Sequence, residues 1–182
     1  LNWWRIVEHA GTHMDAPIHF SKDGATIDKI PADQLVLPLA VIDITAKAAS
    51  NPDAQVTVDD ITAWEAKNGK LPDSCCIAMN SGWGKHLADP AKFTGKDAAG
   101  VFHFPGFAPE ATMFLMKDRS VLGMAVDTLS LDHGPSKDFK THYAWLPSGR
   151  FGLENVANLD AVPAVGATLV IGQPKVKDAT GG

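Results

Sequence analysis

Residues 9–20 read HAGTHMDAPIHF, which places His9, His13, Asp15 and His19 within eleven positions of a chain that holds seven histidines in all. A helix would set His9 and His13 one turn apart on one face, as in the zinc-protease motif. Gly11 and Pro17 argue against a helix here. In an extended chain, positions 9, 13, 15 and 19 all point to one side, because side chains alternate with a period of two. A straight strand would still spread them over roughly 33 Å, at about 3.3 Å per residue. The chain must therefore bend, and Gly11 and Pro17 are the residues that allow it. The expected product is a compact turn that gathers imidazoles and a carboxylate.

Two imidazoles and one carboxylate make the inner shell of an open catalytic metal site, so His9, His13 and Asp15 are the candidate ligands. Nitrogen and oxygen donors without a thiolate suit Zn²⁺, Mn²⁺ or Fe²⁺ and do not separate them. The competing reading is a set of surface or capping histidines beside a loop. His19 lies beyond Pro17 and takes a different role. A bound metal lowers the pKa of water toward ~7, and a neighbouring imidazole can take the proton and pass it to a leaving group. His19 is therefore the candidate general acid/base, with a fourth metal ligand as its alternative.

Outward from this motif, apolar runs alternate with helical patterns. Leu39–Thr45 (LAVIDIT), the CCIAMN run, Val121–Val126 (VLGMAV) and ATLVIG near the end read as strands. Thr57 reads as an N-cap ahead of a helix that carries Asp59 and Asp60 in its first turn and ends near Gly69. APEATMFLMKD, with Pro109 and Glu110 at its start, reads as a second helix. Ser81–Gly106 is polar and glycine-rich. This interleaving is that of one α/β domain. The 182 residues suffice for one sizeable core, and 45% hydrophobic with 20% charged residues is an ordinary globular balance. A net charge of -5 argues against a nucleic-acid or anionic-membrane surface. No apolar run reaches the length of about 18 residues that a membrane span needs. Adjacent Cys75 and Cys76 read as two buried thiols, which fits a cytoplasmic address.

The motif resembles the H-x-G-T-H-x-D-x-P-x-H signature of the cyclase-like metal-dependent hydrolases, a family that includes kynurenine formamidases and isatin hydrolases. FHFPGFAPEATMFL, VDTLSLDHGPSKDFKTH and LENVANLDAVP resemble later segments of the same family, from Trp3 to about Gly172. The resemblance implies a swivelling β/β/α-type fold, metal binding by His9, His13 and Asp15, and catalysis by His19. It also implies that His142 and Glu154 either hold a second metal or orient the first one's ligands. Relatives are dimers with pockets completed across the interface, so a homodimer is implied. In the family the motif lies further into the chain, and a closing strand follows a segment like Gly181-Gly182. Residues 1–182 are accordingly expected to be one metal-dependent hydrolase domain lacking an N-terminal portion and a last strand.

Within the family, His133 and the Trp3-Trp4 pair favour the isatin-hydrolase branch. Trp3, Trp4, Trp83, Phe104 and His133 are the candidate substrate contacts, with Phe107 and Trp145 as further aromatic surface. Such surface suits a flat bicyclic amide. The expected reaction is hydrolysis of isatin to isatinate by metal-activated water, with Mn²⁺, or Zn²⁺ as one or two ions. The alternatives are an aryl formamidase acting on N-formylkynurenine and a non-catalytic metal- or ligand-binding module on the same scaffold.

Overall fold

The computed structural model describes residues 1–3 and 5–182. In chain order its elements are β1 (His13–Asp15), β2 (Val36–Asp43), α1 (Thr45–Ser50), β3 (Gln55–Val56), α2 (Val58–Asn68), β4 (Cys76–Asn80) and α3 (Pro90–Thr94). There follow β5 (Gly106–Phe107), α4 (Pro109–Asp118), β6 (Gly123–Val126), α5 (Lys140–Trp145), β7 (Phe151–Glu154) and β8 (Ala167–Val170). Six strands form one mixed sheet in the order β1-β7-β6-β4-β2-β8, and β3 pairs with β5 apart from it. The centre is parallel, and each edge strand, β1 and β8, is antiparallel to its neighbour.

The central strands are apolar on both faces, as a sheet covered on both sides requires. Ala40, Ile42, Ile77, Met79, Met124 and Val126 face a core that also holds Ile61, Trp64, Leu115 and Trp145 from α2, α4 and α5. The intervening Leu39, Val41, Cys76, Ala78 and Ala125 face a second core with Met14, Ile27, Ile30, Phe151 and Leu153. Cys75 and Cys76 are free, buried and assigned one to each core, as their alternation demands.

Helix α2 starts where the sequence says it should. Thr57 caps it in a full capping box with Asp60, and Gly69 ends it at φ 88°. Trp64 packs inward and its indole N–H donates to the Val41 carbonyl at 2.9 Å. Two expectations shift: β2 begins at Val36 and ends at Asp43, where α1 takes over, and the polar 81–106 stretch contains α3, capped by Asp89. No helix among the described residues is long and apolar enough to cross a membrane.

Candidate metal centre

Strand β1 is only three residues long and supplies two functional side chains. It pairs with β7 so that His13 lies opposite Glu154 and Asp15 opposite Gly152. Directly opposed residues share a face of the sheet, so this register delivers His13 and Glu154 to one place. The bend that the sequence demands occurs at Gly11, which sits at φ 66° and whose carbonyl accepts the Nδ1–H of His13 at 2.8 Å. A 3-10 turn over Pro17–His19 then brings His19 back, and its ring stacks on that of His9 with centroids 4.0 Å apart. Helix α5 contributes the buried His142.

Asp15 is the hub. His9 Nδ1 and His13 Nε2 lie 2.7 and 3.3 Å from its Oδ1, and His142 Nε2 lies 3.5 Å from its Oδ2. Glu154 closes the group, with Oε2 at 3.5 Å from His13 Nε2 and Oε1 at 3.2 Å from His142 Nε2. His13, Asp15, His142 and Glu154 are all buried. Two donor sets share Asp15: His9, Asp15 and His19, and His13, Asp15 and Glu154, each with atoms within 4.8 Å of one another. The four motif residues lie together, and Glu154, 139 positions beyond Asp15, comes within 3.5 Å of His13 Nε2.

These groups demand positive charge. Burial alone would raise the Asp15 carboxyl, yet the surrounding imidazoles of His13, His142 and His9 hold it well below the usual range. Burial raises Glu154, and the Asp15 charge adds to that. Burial disfavours charge on His142, but Asp132, Asp15 and Glu154 prevail and push it up to about 11. Burial likewise opposes charge on His13, and Asp15 and the Gly11 carbonyl still raise it. Because Nδ1 of His13 is committed to Gly11, its Nε2 presents a lone pair in the neutral ring. That Nε2 and Asp15 Oδ2 are buried and have no hydrogen-bond partner. An imidazole lone pair and a carboxylate oxygen left bare in the same buried space fit a divalent cation. His19 differs: it is exposed, and burial of its inner side keeps its pKa below the ordinary imidazole value.

The cluster opens into a cleft of about 690 Å³ lined by His9, His19, Phe20, Leu129, Phe139 and Tyr143, among others. Phe20 touches His142 with ring centroids 4.6 Å apart and Tyr143 edge-on at 4.9 Å. The proposed aromatic contacts need correction. Trp83 and Phe104 do not line this cleft, being 6% and 5% exposed; the Trp83 indole donates to Phe93 O. Trp145 and Phe107 are core residues. His133 lines a different cleft beside Pro135, and Trp3 is fully exposed. Trp4 lies outside the described residues. Composition signals aromatic surface but not its direction, so Phe20, Phe139 and Tyr143 go unnoticed in the sequence. Asp132 also escapes notice: its Oδ2 accepts the Nδ1–H of His142 at 2.6 Å, and its only sequence signal is a carboxylate ten residues before that histidine. His103 bonds Asp53 at 2.9 Å and His86 packs edge-on against Trp83, both away from the cluster.

The chain is similar to known proteins over most of its length. The sequence profile of the family described as "Putative cyclase" matches residues 2–133. An isatin hydrolase of Roseibium aggregatum is 34% identical over 189 positions, covering 99% of this chain and 71% of that protein. A kynurenine formamidase of Salinibacter ruber is 26% identical over 160 positions, covering 87% of this chain and 66% of that one. Among solved structures, an isatin hydrolase bound to the product analogue thioisatinate superposes with a TM-score of 0.94 at 33% identity, covering all of this chain and 71% of its own. Isatin hydrolase A from Labrenzia aggregata, bound to benzyl benzoate, gives 0.91 at 37% identity, with 96% and 70% covered.

Proposed function

The chain belongs to the cyclase family and is a hydrolase, and on that premise we propose that it opens the lactam of isatin to give isatinate. The observation that carries this reading is the buried Asp15 carboxylate ringed by three imidazoles, with His19 beside it at the mouth of an aromatic-walled cleft. Likeness to isatin hydrolases over nearly the whole chain supports the same substrate class.

In this reading His9, His13, Asp15 and Glu154 hold a divalent cation, Mn²⁺ in preference to Zn²⁺. When bound, the ion supplies Lewis acidity toward a carbonyl oxygen and water. Phe20, Phe139 and Tyr143 offer ring faces and edges to a flat bicyclic substrate. His19, whose burial on one side favours the uncharged ring, accepts a proton at its ring nitrogen from the attacking water. The same nitrogen then protonates the lactam nitrogen as the C–N bond breaks. Asp132 holds the His142 ring, which keeps Glu154 and Asp15 in place. The chain's small-molecule partner is thus an aromatic amide, and a homodimer is the assembly we propose.

Metal analysis and turnover on two substrates test this. His13→Ala should lose most bound Mn²⁺, whereas His19→Ala should keep the ion and lose turnover of isatin. Full metal content with full activity in the first variant, or an unchanged rate in the second, would overturn the assignment. The sharing of Asp15 between two donor sets favours one further reading, hydrolysis of N-formylkynurenine with two Zn²⁺ ions. Two ions per chain, with formylkynurenine turned over faster than isatin, would select it.

A further inference from the structure

His9 is the least buried of the proposed ligands, and its orientation has a source outside the motif. Its Nε2 lies 2.8 Å from Thr180 Oγ1, 171 residues away in sequence. The Thr180 hydroxyl in turn donates to Glu8 Oε2 at 2.6 Å, and the Thr180 backbone N–H donates to the same oxygen at 2.7 Å. The segment carrying Thr180 is laid against β1 as an added strand: Ala16 N–H donates to Thr180 O, and Met14 exchanges two backbone bonds with Gly182 at 2.7 and 3.0 Å. Gly181 between them passes under the His9 ring so closely that a Cβ there would sit 2.7 Å from its Cε1. Ring face and ring edge are therefore both set by residues 180–182.

The hydrogen-bond arithmetic fixes more than orientation. A carboxylate only accepts, so the single hydroxyl proton of Thr180 is spent on Glu8. The contact between Thr180 Oγ1 and His9 Nε2 can then only be an N–H donating to the hydroxyl oxygen. In the neutral ring that leaves Nδ1 as the lone pair, and Nδ1 is the atom 2.7 Å from Asp15 Oδ1. Two electron pairs at that separation need a proton or a metal cation between or beside them, and a divalent ion that displaces the proton would find Nδ1 and Oδ1 already turned toward each other.

We propose that Glu8 and Thr180 form a positioning relay that locks His9 in the Nε2–H tautomer and so presents Nδ1 as its metal-ligating nitrogen. This rests on the reading that the cluster holds a divalent cation. Outer partners that fix a ligating histidine are typically worth 10–100-fold in metal affinity or activity. Glu8 and Thr180 are thus positioning residues, acting through His9.

The test uses the 182-residue chain, ¹⁵N-labelled at histidine, and Mn²⁺ alone as the probe. Long-range ¹H–¹⁵N spectra of the metal-free protein should show His9 protonated at Nε2. Thr180→Val should weaken Mn²⁺ binding by about 10–100-fold, and Thr180→Ser should restore it to near the native value. Glu8 is exposed, and in Glu8→Ala the 180–182 segment keeps its backbone bonds to Met14 and Ala16. The substitution frees the Thr180 hydroxyl to donate to Nε2, and the spectrum should shift toward the Nδ1–H form. Native-strength Mn²⁺ binding in Thr180→Val, or a tautomer indifferent to Glu8→Ala, overturns the relay. If the unaltered chain shows Nε2–H but takes up no Mn²⁺, the relay's tautomer control is supported and the metal reading is what fails.

Discussion

Asp132 accepts the Nδ1 proton of His142 across 2.6 Å, and its two oxygens also take the backbone N–H groups of Thr141 and His142 at 2.9 and 3.2 Å. One carboxylate thus caps the start of α5 and aims the other nitrogen of His142 at Asp15 and Glu154. Asp132→Asn replaces a charged, acceptor-only group by a neutral amide that can present an N–H to Nδ1, and so removes the main support for the proton at that nitrogen. We expect kcat/KM or Mn²⁺ affinity to fall by about 10–100-fold, with a melting temperature close to that of the parent. Parallel kinetics and thermal unfolding check it; kinetics within twofold of the parent would show that Asp132 merely packs.

Gly24 controls His19 through the backbone. A Cβ at position 24 would lie 2.6 Å from both Ile18 N and Pro17 C, the turn that carries His19. Backbone cannot step aside as a flexible side chain can. Gly24→Ala should cost about 1–3 kcal/mol through overpacking and depress turnover more than Mn²⁺ binding, because His13 and Asp15 belong to β1 rather than to this turn. Denaturant unfolding and metal titration together check this. A variant with native stability and rate would mean that the turn relaxes freely.

These cases show what the sequence discloses. The β4 run, the Thr57 N-cap and the four-residue motif are legible because each is local: a strand's apolarity, a cap's residue type and a bend at Gly11 need no distant partner. Strand β1 is not legible, since three residues become a strand only through pairing with β7 some 140 positions later. The same distance hides the His13–Glu154 juxtaposition, which residue spacing cannot express and which only the family resemblance suggests. Trp83 and Phe104 mislead for the converse reason. Large aromatics fill cores as readily as they line clefts, and only packing decides which.

Cys75 and Cys76 should be chemically silent in the native protein. Both are buried, and burial pushes the Cys75 thiol up to about 11 and Cys76 higher still. Thiolate is the reactive form, so at pH 8 only about one part in a thousand of Cys75 would be available even if reagent reached it. A disulfide-exchange reagent should titrate neither thiol in buffer and both in denaturant. Rapid native labelling would reveal local opening of β4 between the two cores.

Arg119 forks onto Glu65, with Nε donating to Oε1 at 2.7 Å and Nη2 to Oε2 at 2.6 Å, and so ties the residue after α4 to α2. Both side chains are largely buried, at 21% and 10% exposure, so the pair is less screened than an ordinary surface bridge. The Arg119 hydrogen bond, ahead of the Leu71 N–H, lowers the Glu65 pKa. A folded-state pKa below the unfolded one means that the carboxylate favours the native state. That contribution is complete above the unfolded pKa of about 4.3 and disappears as pH falls through the lowered folded value. Glu65→Gln removes the charge and keeps the shape and an acceptor for Leu71. It should cost about 1–2 kcal/mol at pH 7, and the gap from the parent should close steadily below pH 4, where protonated Glu65 resembles glutamine. Unfolding curves at pH 7 and near pH 3 decide the matter: a gap that persists unchanged in acid would assign the loss to packing, with the ion pair contributing nothing.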